Sequence, residues 1–151
     1  MNRLDILHRR ALYLVCAVLL ITGCLWAVLH YLPAAMGMDE QTSMADAVLA
    51  MKVHGAAAML ALVLVGAVLP RHVNQGLKNT RNRPSGIGML CVFALLAVTG
   101  YFLYYAGSET FRSMNSWLHL AAGMVLPAIV AGHVARRLSL ARAALAAENA
   151  R

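Results

Sequence analysis

Residues 117–137 read WLHLAAGMVLPAIVAGHVARR, and this stretch decides the fold. It is apolar over roughly the 20 residues that an α-helix needs to cross the hydrocarbon core of a bilayer, yet it carries His119 near one end and His133 near the other. On an α-helix the two imidazoles differ by about 40° in azimuth and lie roughly 21 Å apart along the axis. Ionisable side chains within a membrane span are costly and usually functional, so both histidines are candidate ligands.

The composition of the whole chain is typical of integral membrane proteins. Its 151 residues are 61% hydrophobic and 13% charged, with a mean hydropathy of +0.67, which is too apolar for a soluble domain of this size. The net charge of +7 would favour nucleic acid as a partner of a soluble protein, but the basic residues here flank apolar runs, where they act as topology signals. We therefore predict a single membrane domain over residues 1–151 that contacts lipid and no nucleic acid.

Four apolar segments predict four transmembrane helices, at approximately 8–32, 47–70, 86–106 and 117–137. Few polar groups are available to satisfy an irregular backbone in lipid, so each segment should be α-helical. The first segment is longer than the apolar region of a typical signal peptide and is predicted to be a retained helix. The tail 138–151 is predicted to continue the fourth helix into the cytoplasm. The predicted fold is all-α, an integral membrane four-helix bundle.

The basic residues predict how this bundle is oriented. Eleven of the thirteen lie in the N-terminal segment, the second connecting segment and the C-terminal tail, which leaves only Lys52 and Arg112 on the other side. By the positive-inside rule, both termini are therefore cytoplasmic.

Under this topology the six histidines form two tiers. Those of the outer tier are at the outer ends of helices one, two and four, and those of the inner tier are at the inner ends of the same helices: His30, His54 and His119 outside; His8, His72 and His133 inside. Imidazoles that project inward from the helices of a bundle commonly hold metals or cofactors. Pairs of neutral imidazoles suit a six-coordinate b-type haem iron, and the chain has no Cys-x-x-Cys-His run for covalent haem attachment. Two tiers predict two haem sites.

Other chemistries are weakly indicated. Cys16, Cys24 and Cys91 lie within apolar spans, where cysteine usually acts as a small core residue. Carboxylates, which proton pumps and ion carriers place inside the membrane, are absent from the spans. Gly123 follows His119 by four residues and gives room for a porphyrin, although small residues are also common at membrane helix contacts. No residue is predicted to act as a general acid or a nucleophile.

Taken together, these features resemble the bacterial four-helix cytochrome b561 family of small di-haem membrane cytochromes, over essentially the whole chain. The matching features are Leu7-His8-Arg9, Val53-His54-Gly55, and a fourth helix that reads His-x-x-x-Gly and ends in Gly-His. The resemblance implies two haem b groups. It makes His54 and His119 the axial ligands of the outer haem iron and His8 and His133 those of the inner one. It also implies a multi-pass protein of the bacterial cytoplasmic (inner) membrane.

Two histidines depart from the family pattern. His72 follows His54 by eighteen residues, nominally in phase with it on a helix, and is the alternative to His8 as the inner ligand. His30 has no counterpart in the family, and we predict that it caps a helix end or contacts quinone.

The predicted function is electron transfer, across or within the membrane, between a quinone pool and a redox protein on the periplasmic side. One alternative, which the resemblance allows, is a self-contained superoxide:quinone oxidoreductase. Another is a haem-free membrane scaffold or assembly protein. The sequence leaves open whether the protein is an enzyme, and it leaves open the oligomeric state.

Overall fold

A computed structural model describes residues 3–78 and 83–149, and the side chains of 3–5, 36, 71–78, 83, 141 and 144 lie outside that description. All regular elements of the described residues are helical. They are α1 (Arg3–Tyr31), a short 3-10 helix (Ala34–Met36), α2 (Glu40–Lys78), α3 (Arg83–Tyr105) and α4 (Glu109–Asn149). The prediction of an all-α chain is confirmed for this part of the protein.

Each of the four long helices contains a segment that is long and apolar enough to cross a membrane. These segments are Ile6–Tyr31, Glu40–Pro70, Pro84–Tyr105 and Glu109–Asn149. Large apolar side chains on the helices are widely exposed, among them Leu14 at 67% and Val63 at 68%. Soluble proteins rarely expose so much contiguous apolar surface, whereas lipid covers it in a membrane protein. The prediction of four membrane-compatible helices is confirmed.

Helices α2 and α4 begin about two turns before the predicted apolar segments, at Glu40 rather than 47 and at Glu109 rather than 117. At the start of α2, Asp39 Oδ2 accepts hydrogen bonds from the Thr42 N–H (3.1 Å) and the Thr42 hydroxyl (3.2 Å). At the start of α4, the Ser108 hydroxyl accepts one from the Phe111 N–H (3.4 Å). Such caps satisfy backbone donors in the first turn, so both helices extend into polar sequence.

The same two helices also continue through internal prolines. Pro70 lies inside α2 and Pro127 inside α4, and membrane helices tolerate the lost hydrogen-bond donor. The fourth helix runs on to Asn149, which confirms that it continues into the tail as far as that residue. Residues 150–151 lie outside the described range.

The chain divides into two compact units, residues 1–72 and 73–151. In the first unit, His8 of α1 bonds to Leu64 of α2, and Thr22 of α1 bonds to His54 of α2. His8, near the start of α1, thus contacts α2 further along the chain than Thr22 does, so the two helices are antiparallel. The prediction of one domain over 1–151 stays a prediction.

Small residues form the buried face of α2 in the first unit. Ser43, Ala47, Ala50 and Ala61 are only 1%, 6%, 4% and 1% exposed. Their spacing puts them on one face of the helix, together with His54. Small side chains let membrane helices approach closely, and the bond between Thr22 and His54 shows that α1 lies beside this face.

The connection between α1 and α2 depends on one glycine. Gly37 has a φ of +65°, a left-handed conformation that costs glycine little and most other residues more. Its N–H donates to the Ala34 carbonyl at 3.2 Å, and the Met38 N–H donates to the Pro33 carbonyl at 3.0 Å. This turn ends the 3-10 helix and leads the chain into the Asp39 cap.

The second unit is an antiparallel pair of helices with a short connection, residues 106–108, between α3 and α4. Ser85 near the start of α3 bonds to His133, which lies far along α4. Thr99 near the end of α3 bonds to His119, which lies closer to the start of α4. The fourteen residues between Ser85 and Thr99 equal the fourteen between His119 and His133, so the two helices stay in register over about four turns.

Candidate functional site

Three histidines make the same contact with a hydroxyl on the neighbouring helix of their own unit. Nδ1 of His54 lies 2.9 Å from Thr22 Oγ1, Nδ1 of His119 lies 2.8 Å from Thr99 Oγ1, and Nδ1 of His133 lies 3.0 Å from Ser85 Oγ. All three imidazoles are partly buried. Three of the four histidines that were predicted to be haem ligands are therefore oriented through Nδ1.

The direction of the hydrogen bond can be worked out for the two threonines. Thr22 Oγ1 lies 2.7 Å from the Val18 carbonyl oxygen and Thr99 Oγ1 lies 2.7 Å from that of Leu95. A carbonyl only accepts and a hydroxyl has one proton to donate, so each threonine donates to its carbonyl and accepts from the imidazole. His54 and His119 are thus protonated on Nδ1 in their neutral form, and the lone pair is on Nε2.

A glycine follows each of these hydroxyl residues and faces the imidazole. A Cβ built on Gly23 would lie 3.4 Å from Cε1 of His54, one on Gly100 would lie 3.5 Å from Cε1 of His119, and one on Gly86 would lie 3.6 Å from Cε1 of His133. These are ordinary contact distances, so an alanine fits beside each ring. A longer side chain has to displace the imidazole or shift the helix.

A buried amide strengthens the site around His119. Asn115, one turn before His119 on α4, is 6% exposed. Its Nδ2 donates to the Thr99 carbonyl at 2.7 Å. The backbone and the side chain of Thr99 are therefore both bonded to α4. No corresponding amide was predicted from the sequence.

The environment of His8 is different. Its Nε2 lies 2.9 Å from the Leu64 carbonyl oxygen, which can only accept, so His8 donates from Nε2. The neutral ring then has its lone pair on Nδ1, opposite to His54 and His119. The side chain of His72, the alternative inner ligand, lies outside the described residues.

His30 belongs to an exposed aromatic cluster at the end of α1. Its ring stacks on Trp26 with centroids 4.8 Å apart and an interplanar angle of 10°, and it meets the edge of Tyr31 at 4.7 Å. It lies in the last turn of α1. Its surroundings differ from those of the three histidines bonded to hydroxyls.

The first unit also contains a largely apolar cavity beside Thr22. Its volume is about 450 Å³, and its wall includes Thr22, Leu25, Leu29, Ala50 and Val53, with Asp46 as the acidic member. Ligand pockets in proteins have volumes of this order and few polar groups. The cavity gives room for a ligand next to the threonine that holds His54.

The described residues contain no group of three or more His, Cys, Asp or Glu side chains placed to hold a metal ion. A haem iron brings four nitrogen ligands of its own and requires only axial ligands from the protein.

The hydroxyl residues were not among the residues predicted from the sequence. The available signal was the repeated pairing of a hydroxyl residue with glycine at 22–23, 85–86 and 99–100, together with the spacing of fourteen that Ser85 and Thr99 share with the α4 histidines. On two antiparallel helices, equal spacings bring both pairs together.

The chain matches no protein-family model, no curated protein and no solved structure.

Proposed function

We propose that this protein is a di-haem b-type cytochrome of the bacterial cytoplasmic membrane, which transfers electrons between a quinone pool and a redox protein on the periplasmic side. One observation carries the proposal. Thr22 and Thr99 accept hydrogen bonds from Nδ1 of His54 and His119, so both neutral rings have their lone pair on Nε2. Metal-ligating histidines typically have this arrangement, with the second ring nitrogen donating to a fixed partner.

In this proposal His54 and His119 would hold the outer haem, and His133 and His8 would hold the inner haem. His133 shares the contact through Nδ1 that the outer pair has, in this case with Ser85. For His8 to bind iron through Nε2, its bond to the Leu64 carbonyl must be given up. His72 is the alternative to His8 in this tier.

When bound, the haems supply one-electron redox chemistry between ferric and ferrous iron. The chain supplies neutral imidazoles of defined orientation and apolar helices that exclude water. The proposed topology is a four-helix bundle with both termini in the cytoplasm, as the distribution of basic residues indicates. Residues 33–43 and 107–116 then face the periplasm and form the docking surfaces for the redox partner.

The proposal is tested by purifying the full chain from bacterial membranes in mild detergent. We expect a reduced-minus-oxidised absorption spectrum of b-type haem and close to two haem groups per chain by the pyridine haemochromogen assay. A protein that has no Soret band after expression with adequate haem supply would overturn the proposal.

Single histidine substitutions test the ligand assignment. His119→Ala and His133→Ala should each retain about half of the haem, because each removes an axial ligand of one site only. His30→Ala is the matched control and should retain all of the haem, because His30 stacks on Trp26 outside the proposed sites. Full haem content in either α4 variant contradicts the assignment.

The inner ligand is decided by comparing His8→Ala with His72→Ala in the same assay. We expect His8→Ala to lose the inner haem and His72→Ala to retain it. The reverse result would make His72 the ligand and leave His8 with its bond to α2.

A further inference from the structure

We infer that Thr22 and Thr99 are positioning residues that fix the tautomer of His54 and His119 and thereby set the redox potential of the iron that these histidines bind. The effect on the redox potential rests on the proposed haem function. The effect on the histidine tautomer concerns the protein alone and can be tested separately.

Burial distinguishes these threonines from ordinary threonines of a membrane helix. Thr22 is 8% exposed and Thr99 is 3% exposed. They are two of the four buried polar residues in the described part of the chain, the others being Ser43 and Asn115. Burial keeps water from competing for each hydroxyl, so the hydroxyl is a fixed partner of the imidazole. The His54 ring also hydrogen-bonds to the backbone of Leu19, on the same helix as Thr22, so Thr22 and the α1 backbone orient His54 together.

Threonines in helices often donate to the carbonyl one turn earlier without further function. Here that bond has a second effect, because it uses the only hydroxyl proton. Thr22 donates to Val18 at 2.7 Å, and Thr99 donates to Leu95 at 2.7 Å. Each hydroxyl oxygen can then only accept a hydrogen bond from the imidazole. An imidazole that is protonated on Nε2 instead of Nδ1 has no proton to donate to this oxygen. The helix backbone thus selects the tautomer through the threonine.

The same hydrogen-bond arrangement of threonine, glycine and histidine occurs in both units. Thr22-Gly23 on α1 meets His54 on α2, and Thr99-Gly100 on α3 meets His119 on α4. The sequence separations of the two pairs are different, at 32 and 20 residues, yet the atoms that meet are the same. In the second unit Asn115 also holds the Thr99 backbone, which further restricts the position of the hydroxyl.

A hydrogen bond accepted from the Nδ1 proton makes an imidazole a more basic ligand. A more basic axial ligand stabilises ferric relative to ferrous iron and lowers the midpoint potential. Replacing threonine by valine removes the hydroxyl acceptor and keeps the branched shape, while the bond between His54 and the Leu19 backbone remains. We therefore expect Thr22→Val and Thr99→Val each to raise a midpoint potential, and Thr22→Ser and Thr99→Ser to restore the wild-type value.

The main experiment is a spectroscopic redox titration of the purified full chain with its haem. Both valine variants should shift the same one of two redox transitions upward, the double variant should shift it further, and the other transition should not move. The low-spin ferric EPR signal of that haem should change as well. Ser139→Ala is the control, since Ser139 is exposed on α4 and its hydroxyl donates to the Arg136 carbonyl of the same helix at 2.9 Å. This variant should leave both transitions in place.

Two results would overturn the inference. In the first, the valine variants retain their haem and show the same midpoint potentials and EPR signals as the wild-type protein. In the second, the serine variants shift the midpoint potential as much as the valine variants do. If valine causes loss of haem, rescue by serine supports the positioning role, whereas loss in both contradicts it. Shifts in two different transitions would support positioning and contradict the pairing of His54 with His119.

A haem-free preparation separates this inference from the proposed function. In protein labelled with ¹⁵N-histidine, the nitrogen shifts should report His54 and His119 protonated on Nδ1, and the valine variants should weaken that preference. This result would support the positioning role even if the protein binds no haem. A mixture of tautomers in the wild-type protein would contradict it.

Discussion

At the scale of single residues, the orientation of the histidines depends on their neighbours in space. The sequence identified His54, His119 and His133 because they are ionisable groups in apolar spans. It did not identify Thr22, Thr99 or Ser85, since hydroxyl residues are common in membrane helices and bond to their own backbone. Their role is seen only when the partner helix is placed beside them.

The space beside His119 gives a prediction about Gly100. A Cβ at this position meets Cε1 of His119 at 3.5 Å, so Gly100→Ala should keep the haem and add about 0.5–1 kcal/mol of helix stability. Under the proposed function, Gly100→Leu should displace the imidazole and reduce the haem content by about half, as expected for His119→Ala. Haem per chain is the measurement.

Gly88→Leu is the matched control on the same helix. No atom lies within 4 Å of a Cβ at Gly88, so this variant should bind haem normally. Equal haem loss in the two leucine variants would assign the effect to helix α3 as a whole rather than to contact with the ring.

At the scale of elements, the lengths of the helices were underestimated from hydropathy. Apolar runs mark only the part of a helix that lipid can surround, whereas a helix continues as far as its backbone groups are satisfied. Asp39 and Ser108 precede α2 and α4 as capping residues, and each is followed by a glutamate. These are recognised start signals, so both starts could have been predicted.

The cap of α2 can be tested directly. Asp39→Ala removes the acceptor for the Thr42 N–H and hydroxyl and should lower the free energy of unfolding by about 1 kcal/mol. Asp39→Asn keeps an acceptor oxygen and should lower it by much less. Reversible unfolding in mixed detergent micelles measures both. A loss of the same size in both variants would indicate that the charge of Asp39, rather than its hydrogen bonds, stabilises the helix.

Helix α3 shows how an element without a recognised ligand can still be part of a site. It contains no histidine, and its sequence indicated only a membrane span. In the structure it supplies the hydroxyl partners of both α4 histidines. Contacts between helices depend on register, and a single helix read by itself does not reveal them.

At the scale of the whole molecule, the number of membrane-compatible helices could be predicted because hydropathy is a sum over neighbouring residues. The pairing of imidazoles into tiers depends on the arrangement of all four helices and on the cofactor, so it stays a prediction. The distribution of basic residues gives a separate prediction about orientation.

Reporter fusions test that orientation. Alkaline phosphatase requires disulfides, which form in the periplasm and not in the cytoplasm. Fused after Met38, between α1 and α2, it should be active, and fused after Ser139, in the extended part of α4, it should be inactive. Green fluorescent protein after Ser139 is the complementary control and should fluoresce. The opposite pattern would reverse the topology and exchange the outer and inner tiers.

The three-residue connection between α3 and α4 has a consequence for biosynthesis. A short loop loses little entropy on closure, and preformed transmembrane helices associate within the bilayer. Because α3 leaves the ribosome first, Thr99 and Ser85 are already in place when His119 and His133 follow. Helix α3 is therefore available as a template when α4 is inserted, and its Ser85 and Thr99 hydroxyls meet the α4 histidines when the two helices pair.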